Sequence, residues 1–201
     1  FIDLINESDV DSYVFSFRET QTYEIIDDVA HMKSEIGLLY YNDFNRPVLE
    51  KLIHTNELTF TELFTAHPHI FIGKTHPLAN KDVVSMDELE EYPYISFEQG
   101  DHNSFYFSEE IFSTVVRPKH IRVRDRASLF SLLLGLNGYT VSSGVIDKEV
   151  NGENIISVPL AEEGLMHIGY ITNNKMQRSR LGQVYIQALE QYVGNYGRHI
   201  Q

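Results

Sequence analysis

The chain has 201 residues, 42% of them hydrophobic and 12% aromatic, which is enough for one large or two small domains that bury about 70% of the surface the unfolded chain exposes. A formal net charge of -13 excludes a grip on a phosphate backbone by this portion, because such binding draws its affinity from clustered Lys and Arg. The lack of cysteine excludes disulfides, thiolate nucleophiles and cysteine-held zinc and fits a cytoplasmic setting, and no run of about 18 apolar residues is available to span a bilayer.

The first residue is Phe1, not Met, so a fragment of a longer protein is expected. Phe1 to Asn6 has the pattern of the end of an amphipathic helix, and Glu7 to Asp11 is a polar connector. Tyr13 to Phe17 is predicted as a strand. Glu19 to Thr22 supplies cap residues for a helix over 23–33, with Ile25, Ile26, Val29 and Met32 at helical spacing. Ile36 to Tyr41 is a continuous apolar run, the pattern of a parallel strand covered on both faces. A helix over Pro47 to His54 and an extended stretch over Leu58 to Thr65 follow. Ile70-Phe71-Ile72 reads as a buried strand that ends at Gly73-Lys74-Thr75-His76-Pro77-Leu78. Ser85-Met86-Asp87-Glu88 has the spacing of a capping box for a short helix that Pro93 stops. Tyr94 to Phe97 is a strand leading into the loop Glu98-Gln99-Gly100-Asp101, and Ser108 to Val116 is predicted as a helix.

The most ordered pattern lies at 119–144. Ile121 and Val123 alternate with Arg122 and Arg124 as a strand would, and Leu129 to Leu136 is apolar on nearly every side, as in a helix packed inside the molecule. Asp125 is the predicted N-cap, and Gly135 or Gly138 the predicted end. Tyr139 to Ser142 returns as a strand, which makes a βαβ unit with parallel strands. Such a unit offers a small molecule two places: the free amides at Arg126 to Ser128, and the strand end at Ser142, Ser143 and Gly144. Beyond it, Ile155 to Pro159 and Leu165 to Thr172 read as strands. Ser179 to Val193 reads as a closing helix with Leu181, Val184, Tyr185, Ala188, Leu189 and Tyr192 inward.

Chemistry-bearing motifs are few. Ser142-Ser143-Gly144 lacks the Gly-x-Ser-x-Gly elbow, and no phosphate loop or dinucleotide fingerprint occurs, so no catalytic residue is assigned. His67-Pro68-His69 places two imidazoles two residues apart, but a third ligand is missing and they are taken as surface histidines. Arg122, Arg124 and Arg126 form a basic cluster that either attracts an anion or pairs with the surplus carboxylates. No metal and no cofactor is expected.

Several stretches together resemble the effector-binding domain of LysR-type transcriptional regulators. They are Ile70-Phe71-Ile72 followed by Thr75-His76-Pro77-Leu78-Ala79, Val83 to Leu89 leading into Tyr92-Pro93-Tyr94-Ile95, Asp125 to Ser128, and Leu134-Gly135-Leu136-Asn137-Gly138. The resemblance covers nearly the whole chain. It implies an α/β, two-lobed fold like that of type 2 periplasmic binding proteins, with mainly parallel sheets flanked by helices and a ligand cleft between lobes. Lobe I is expected at 1–73 plus 165–201 and lobe II at 74–164. Glu35 stands where the family usually has Asp, and the match begins at the end of the family's first helix. The first strand and a DNA-reading winged helix-turn-helix are therefore expected upstream of Phe1 or missing.

The resemblance places an effector at strand ends and helix N-termini. In this sequence those positions are Thr20, Gln21, Thr22, Tyr40, Tyr41, Phe97, Glu98, Gln99, Gly100, Arg126, Ala127, Ser128, Ser142 and Ser143. Amides and hydroxyls there suit an anion, and Tyr40, Tyr41 and Phe97 suit an aromatic or apolar part; both stay open. The implied partners are a small metabolite and further copies of the chain in a dimer or tetramer. DNA is contacted only through a domain outside this sequence, and no membrane is involved. The alternative is a free-standing solute-binding protein of a transporter, which would share the fold; an enzyme on the same fold is a third reading.

Overall fold

The computed structural model describes residues 2–7, 13–146 and 153–196. In chain order its elements are α1 (Ile2–Glu7), α2 (Thr22–Ala30), β1 (Ile36–Tyr41), α3 (Arg46–Thr55), β2 (Leu58–Ala66), β3 (His69–Gly73), β4 (Tyr94–Phe97), β5 (His120–Val123), α4 (Arg126–Leu136), β6 (Thr140–Ser142), β7 (Ile155–Pro159), β8 (Met166–Asn173) and α5 (Arg180–Tyr196).

Two layers divide the molecule, a three-stranded sheet and a second layer made of the β6-β3-β7 sheet and the β4-β5 pair, which a single bridge from Tyr94 to Tyr139 joins. In the first, β8 lies between β1 and β2 and pairs antiparallel with both, from Ile36 opposite Thr172 to Tyr41 opposite His167 on one side. Helix α2 brings Ile26 and Val29 against this sheet and α3 brings Leu49 and Ile53, around Ile171. Each of these side chains is fully buried or nearly so, and each contributes about 1.5–3 kcal/mol by leaving water. In the second layer β3 pairs antiparallel with β6 and β7, and β4 pairs parallel with β5. The Ile95 N–H donates to Tyr139 O at 2.8 Å and the Tyr139 N–H to Pro93 O at 2.9 Å, which seats β4 beside β6. The alternation of β3 splits the core here: Ile70 and Ile72 face one cluster with Val141 and Val158, and Phe71 faces the other with Ile95, Leu129 and Leu133. The chain passes between the sheets twice, from β2 to β3 and from β7 to β8.

The two-sheet α/β plan follows the expectation, but the pairing is mixed instead of mainly parallel. The first sheet is wholly antiparallel because β8 re-enters it from the second. Residues 13–17 are in none of the described ladders, although a groove of about 410 Å³ separates Val14 and Ser16 from Ile36 and Leu38 on the edge of β1 that does not face β8. Strand β3, assigned to lobe I from sequence, lies in the second sheet. Between β5 and β6 stands β4, so the central unit is parallel but not adjacent. Helix α4 is buried along one side only, at Leu129 and Leu133, and leaves Leu134 and Leu136 exposed. Its end is set by Asn137 in the left-handed region at φ 49, not by either glycine. On α5, Ile186 is buried, and Val184 and Tyr192, predicted inward, are exposed.

Residues 108–116 form no α-helix. Glu110 is turned inward instead, with Oε1 accepting from the Phe97 N–H at 2.8 Å and Oε2 from Ser108 Oγ at 3.0 Å, and Phe112 takes φ 62. Satisfying a strand-end amide from 13 residues away overrides the helical pattern of Ser108-Glu109-Glu110. Asp125 caps α4 as predicted, accepting from the Ser128 N–H and Oγ, both at 2.8 Å. In the Ser85 to Glu88 capping box, Glu88 Oε2 accepts the Ser85 N–H at 3.1 Å, with a 3-10 turn at Asp87–Leu89 following.

Candidate functional site: the cleft between the two sheets

Six contacts join the half with α2 and β1 to the segment after β4 and the start of α4. The Thr22 N–H, at the N-terminus of α2, donates to Gln99 Oε1 at 3.3 Å, and Gln99 is buried. The Gln21 side chain rests against Gly100, whose φ of 52 and lack of Cβ allow that approach; an added Cβ would stand 2.7 Å from Gln21 Oε1. Tyr23 stacks on His102 with ring centroids 3.4 Å apart, and Arg126 pairs with Glu19 at 3.3 Å. Tyr40, at the end of β1, donates its hydroxyl to Ser108 O at 3.3 Å, and burial pushes its phenol up. Further along, Phe44 stacks on Tyr106. These are direct contacts between the two halves, and the cleft they close is polar at its centre.

In the half that carries β3 to β7 is a cavity of about 230 Å³, whose lining includes Phe97, Phe130, Glu109, Glu110, Arg126 and Ser142. Two carboxylates thus meet aromatic walls. Glu109 accepts from Gln99 Nε2 at 3.4 Å, so the Gln99 carboxamide spans the cleft from the Thr22 amide to the Glu109 carboxylate. Burial pushes the Glu109 carboxyl up to about 7, against the lowering by Gln99 and Arg126. Burial pushes Glu110 to about 8 in spite of the Phe97 amide, and Glu109 next to it acts in the same direction. Near neutral pH the cavity therefore holds protons that an ordinary carboxylate has lost. No group of three or more His, Asp or Glu able to hold a metal occurs among the described residues.

The model of the LysR substrate binding domain family matches residues 13–194. The chain belongs to that family. Solved structures carry the same fold: the effector binding domain of QuiR in complex with shikimate is 17% identical, with 97% of this chain and 88% of that one covered and a TM-score of 0.62. HinK, a LysR family transcriptional regulator from Pseudomonas aeruginosa, is 15% identical over 89% of this chain, with a TM-score of 0.58. Full-length BenM carrying E226K is 17% identical over 90% of this chain, with a TM-score of 0.60. This chain spans 59% of the length of HinK and 57% of that of BenM. No curated protein sequence matches it.

Within this LysR-type domain the sequence-predicted positions are distributed unevenly. Gln21, Thr22, Tyr40, Gln99, Gly100 and Arg126 meet across the cleft, and Phe97 and Ser142 line the cavity. Thr20 Oγ1 is committed to Glu24, and Ser128 to Asp125. Ala127 is exposed, and Glu98 pairs with Arg124. Ser143 Oγ accepts from the Val145 N–H at 3.4 Å. Tyr41 points the opposite way from Tyr40, as neighbours on a strand must, and packs on Phe60 in the first core. Sequence reasoning missed Glu109, Glu110, Tyr23 and His102. Their signal is long-range: a carboxylate pair within a stretch read as a helix, and a ring pair 79 residues apart.

Proposed function

We propose that this cleft binds a small-molecule effector and that occupancy favours one arrangement of the two halves. The observation that carries the reading is that Gln99 joins the Thr22 amide of one half to Glu109, which with Arg126 lines a cavity with aromatic walls in the other half. The fold it shares with the effector binding domain of QuiR, solved in complex with shikimate, supports a small-molecule ligand. In this reading lobe I comprises the first sheet with its helices and α5, and lobe II comprises residues from β3 to β7, with the crossings near residues 66–69 and 159–166. The groove beside β1 is the seat of one more strand of lobe I, since its walls are an open strand edge and an extended segment.

The transcriptional role belongs to the proposal. An effector that binds one lobe arrangement more tightly shifts that equilibrium, and the shift re-presents DNA-binding segments outside this sequence in a cytoplasmic homodimer or tetramer. Leu134 and Leu136, exposed on α4, offer apolar surface for such an assembly. None of the described helices is long and apolar enough to cross a membrane.

A thermal-shift screen against a metabolite library, repeated with Gln99→Ala, tests the site. A hit whose stabilisation changes at least several-fold with that substitution supports it. Hits that stabilise both proteins alike refute the cleft.

A further inference from the structure

The two helix N-termini that an anion would seek already have partners from the chain itself. The Thr22 N–H of α2 has Gln99 Oε1, and the Ser128 N–H of α4 has the ionised Asp125 cap, held below the usual carboxylate range by those two Ser128 bonds. The cavity also offers an anion little free positive charge. Glu109 and Glu110 line it, and Arg126, the one cation that does so among the described residues, is engaged with Glu19. Among these groups Glu110 has both oxygens filled, by the Phe97 amide and by Ser108 Oγ. Glu109 receives a single bond, the stretched one from Gln99 Nε2 at 3.4 Å.

That bond also bears on what the cavity accepts. Gln99 is a side chain buried to 3% exposure whose neutral amide accepts from Thr22 of the other lobe and places an N–H on the carboxylate within its own. A neutral donor at the long end of hydrogen-bond distance is a weak occupant, and a charged donor at shorter range forms a bond about twice as strong. The walls next to it are Phe97, Phe130, Phe71 and Leu129, which can take only an apolar body.

We propose that the effector of this cleft is a small primary amine, its ammonium on Glu109 and its apolar or aromatic body against Phe97 and Phe130. The inference rests on the cleft being the effector site. It replaces the anionic class that helix N-termini and hydroxyls suggest from sequence with a cationic one, and it makes Glu109 the residue that sets ligand class. Gln99 then yields its place on Glu109 when the ligand arrives, which frees its hold on Thr22 and couples binding to the opposite lobe.

Ligand binding must also move protons. The groups that face or act on the Glu109 carboxyl are Gln99, Arg126 and Glu19, with Glu110 and Tyr40 feeling its charge in turn. With its carboxyl at about 7, Glu109 is about half ionised at neutral pH, and an ammonium draws it fully into the ionised form. Amine binding therefore releases about half a proton at pH 7 and tightens about tenfold from pH 6 to pH 8.

The test uses two probes of similar shape, 2-phenylethylamine and 3-phenylpropionate, titrated calorimetrically into the full chain and its Glu109→Gln variant in buffers of different ionisation enthalpy. The expected result is binding of the amine alone, with proton release. Glu109→Gln weakens it by at least tenfold and abolishes the release, while the unliganded variant melts no lower than the parent. Binding of the phenylpropionate, unaffected by Glu109→Gln but sensitive to Gln99→Ala, overturns the amine and leaves the cleft standing. Failure of both probes to bind also overturns the amine, and the library screen then judges the cleft by itself.

Discussion

Replacing Glu110 with glutamine tests whether the fold opposes ionisation at the centre of the cleft. Burial raises the Glu110 carboxyl to about 8 from the 4.5 of a free side chain. For an acid raised in the folded state, the folded chain holds a proton that the unfolded chain gives up. Stability is therefore fully present below about pH 4.5 and is lost at about 1.4 kcal/mol per pH unit until the folded carboxyl ionises near pH 8. From about pH 5 to pH 8 the loss is roughly 3 kcal/mol, a large part of a typical domain's stability. Glutamine keeps the shape, and its carbonyl can still accept the Phe97 N–H, while Ser108 Oγ can turn to accept instead of donate. Urea unfolding of both proteins across this range, with equal m-values, measures the difference directly. The variant is expected to lose roughly 3 kcal/mol less than the parent over the range, and to be the more stable of the two at about pH 8. Parallel pH profiles would refute the reasoning.

Three further outcomes follow from named contacts. Asp125→Ala removes the cap bonds to Ser128 and is expected to cost about 1 kcal/mol, a fall in melting temperature of about 2–4 °C; no fall would mean that the cap is idle. His76 accepts the Leu78 N–H on Nδ1 and bonds Asn137 O through Nε2, and burial lowers its ring below the ordinary 6.5, so stability that depends on the neutral ring is present above about pH 6.5 and is lost as pH falls through the folded value. Its imidazole resonances in an NMR titration should have a midpoint below 6.5, and a midpoint at or above 6.5 would contradict the assignment. Gly100→Ala puts a Cβ against Gln21 in a left-handed backbone, and it should speed hydrogen exchange at the Thr22 amide without unfolding lobe II; unchanged exchange would remove Gly100 from the closure.

How much of this was legible beforehand varies with the range of the interaction that decides it. Helices α2 and α3, strands β1 and β3, and the Asp125 cap are fixed by residues within a few positions, and they fall where periodicity and cap chemistry put them. The resemblance in turn supplied the two-lobed plan. Helix α4 shows the limit of composition: its leucines circle the axis, but only the side with Leu129 and Leu133 has a sheet to pack on. Residues 108–116 show the limit of pattern, because the Phe97 amide claims Glu110 and a helix start becomes a buried turn. Of the candidate site, the loop at Gln99 and the α2 N-terminus were visible as turn and cap chemistry. That Gln99 itself fills the α2 N-terminus depends on how two lobes meet, and that Glu109 faces a cavity depends on packing within the second.

Hydrogen exchange read at single amides, with and without a hit from the metabolite screen, tests most directly whether a ligand bridges the two halves. The account predicts that protection changes together at Thr22 and Tyr23 on one side and at Phe97, Gln99 and Glu110 on the other. Protection confined to one side, or centred on the groove between Val14 and Leu38, would contradict it.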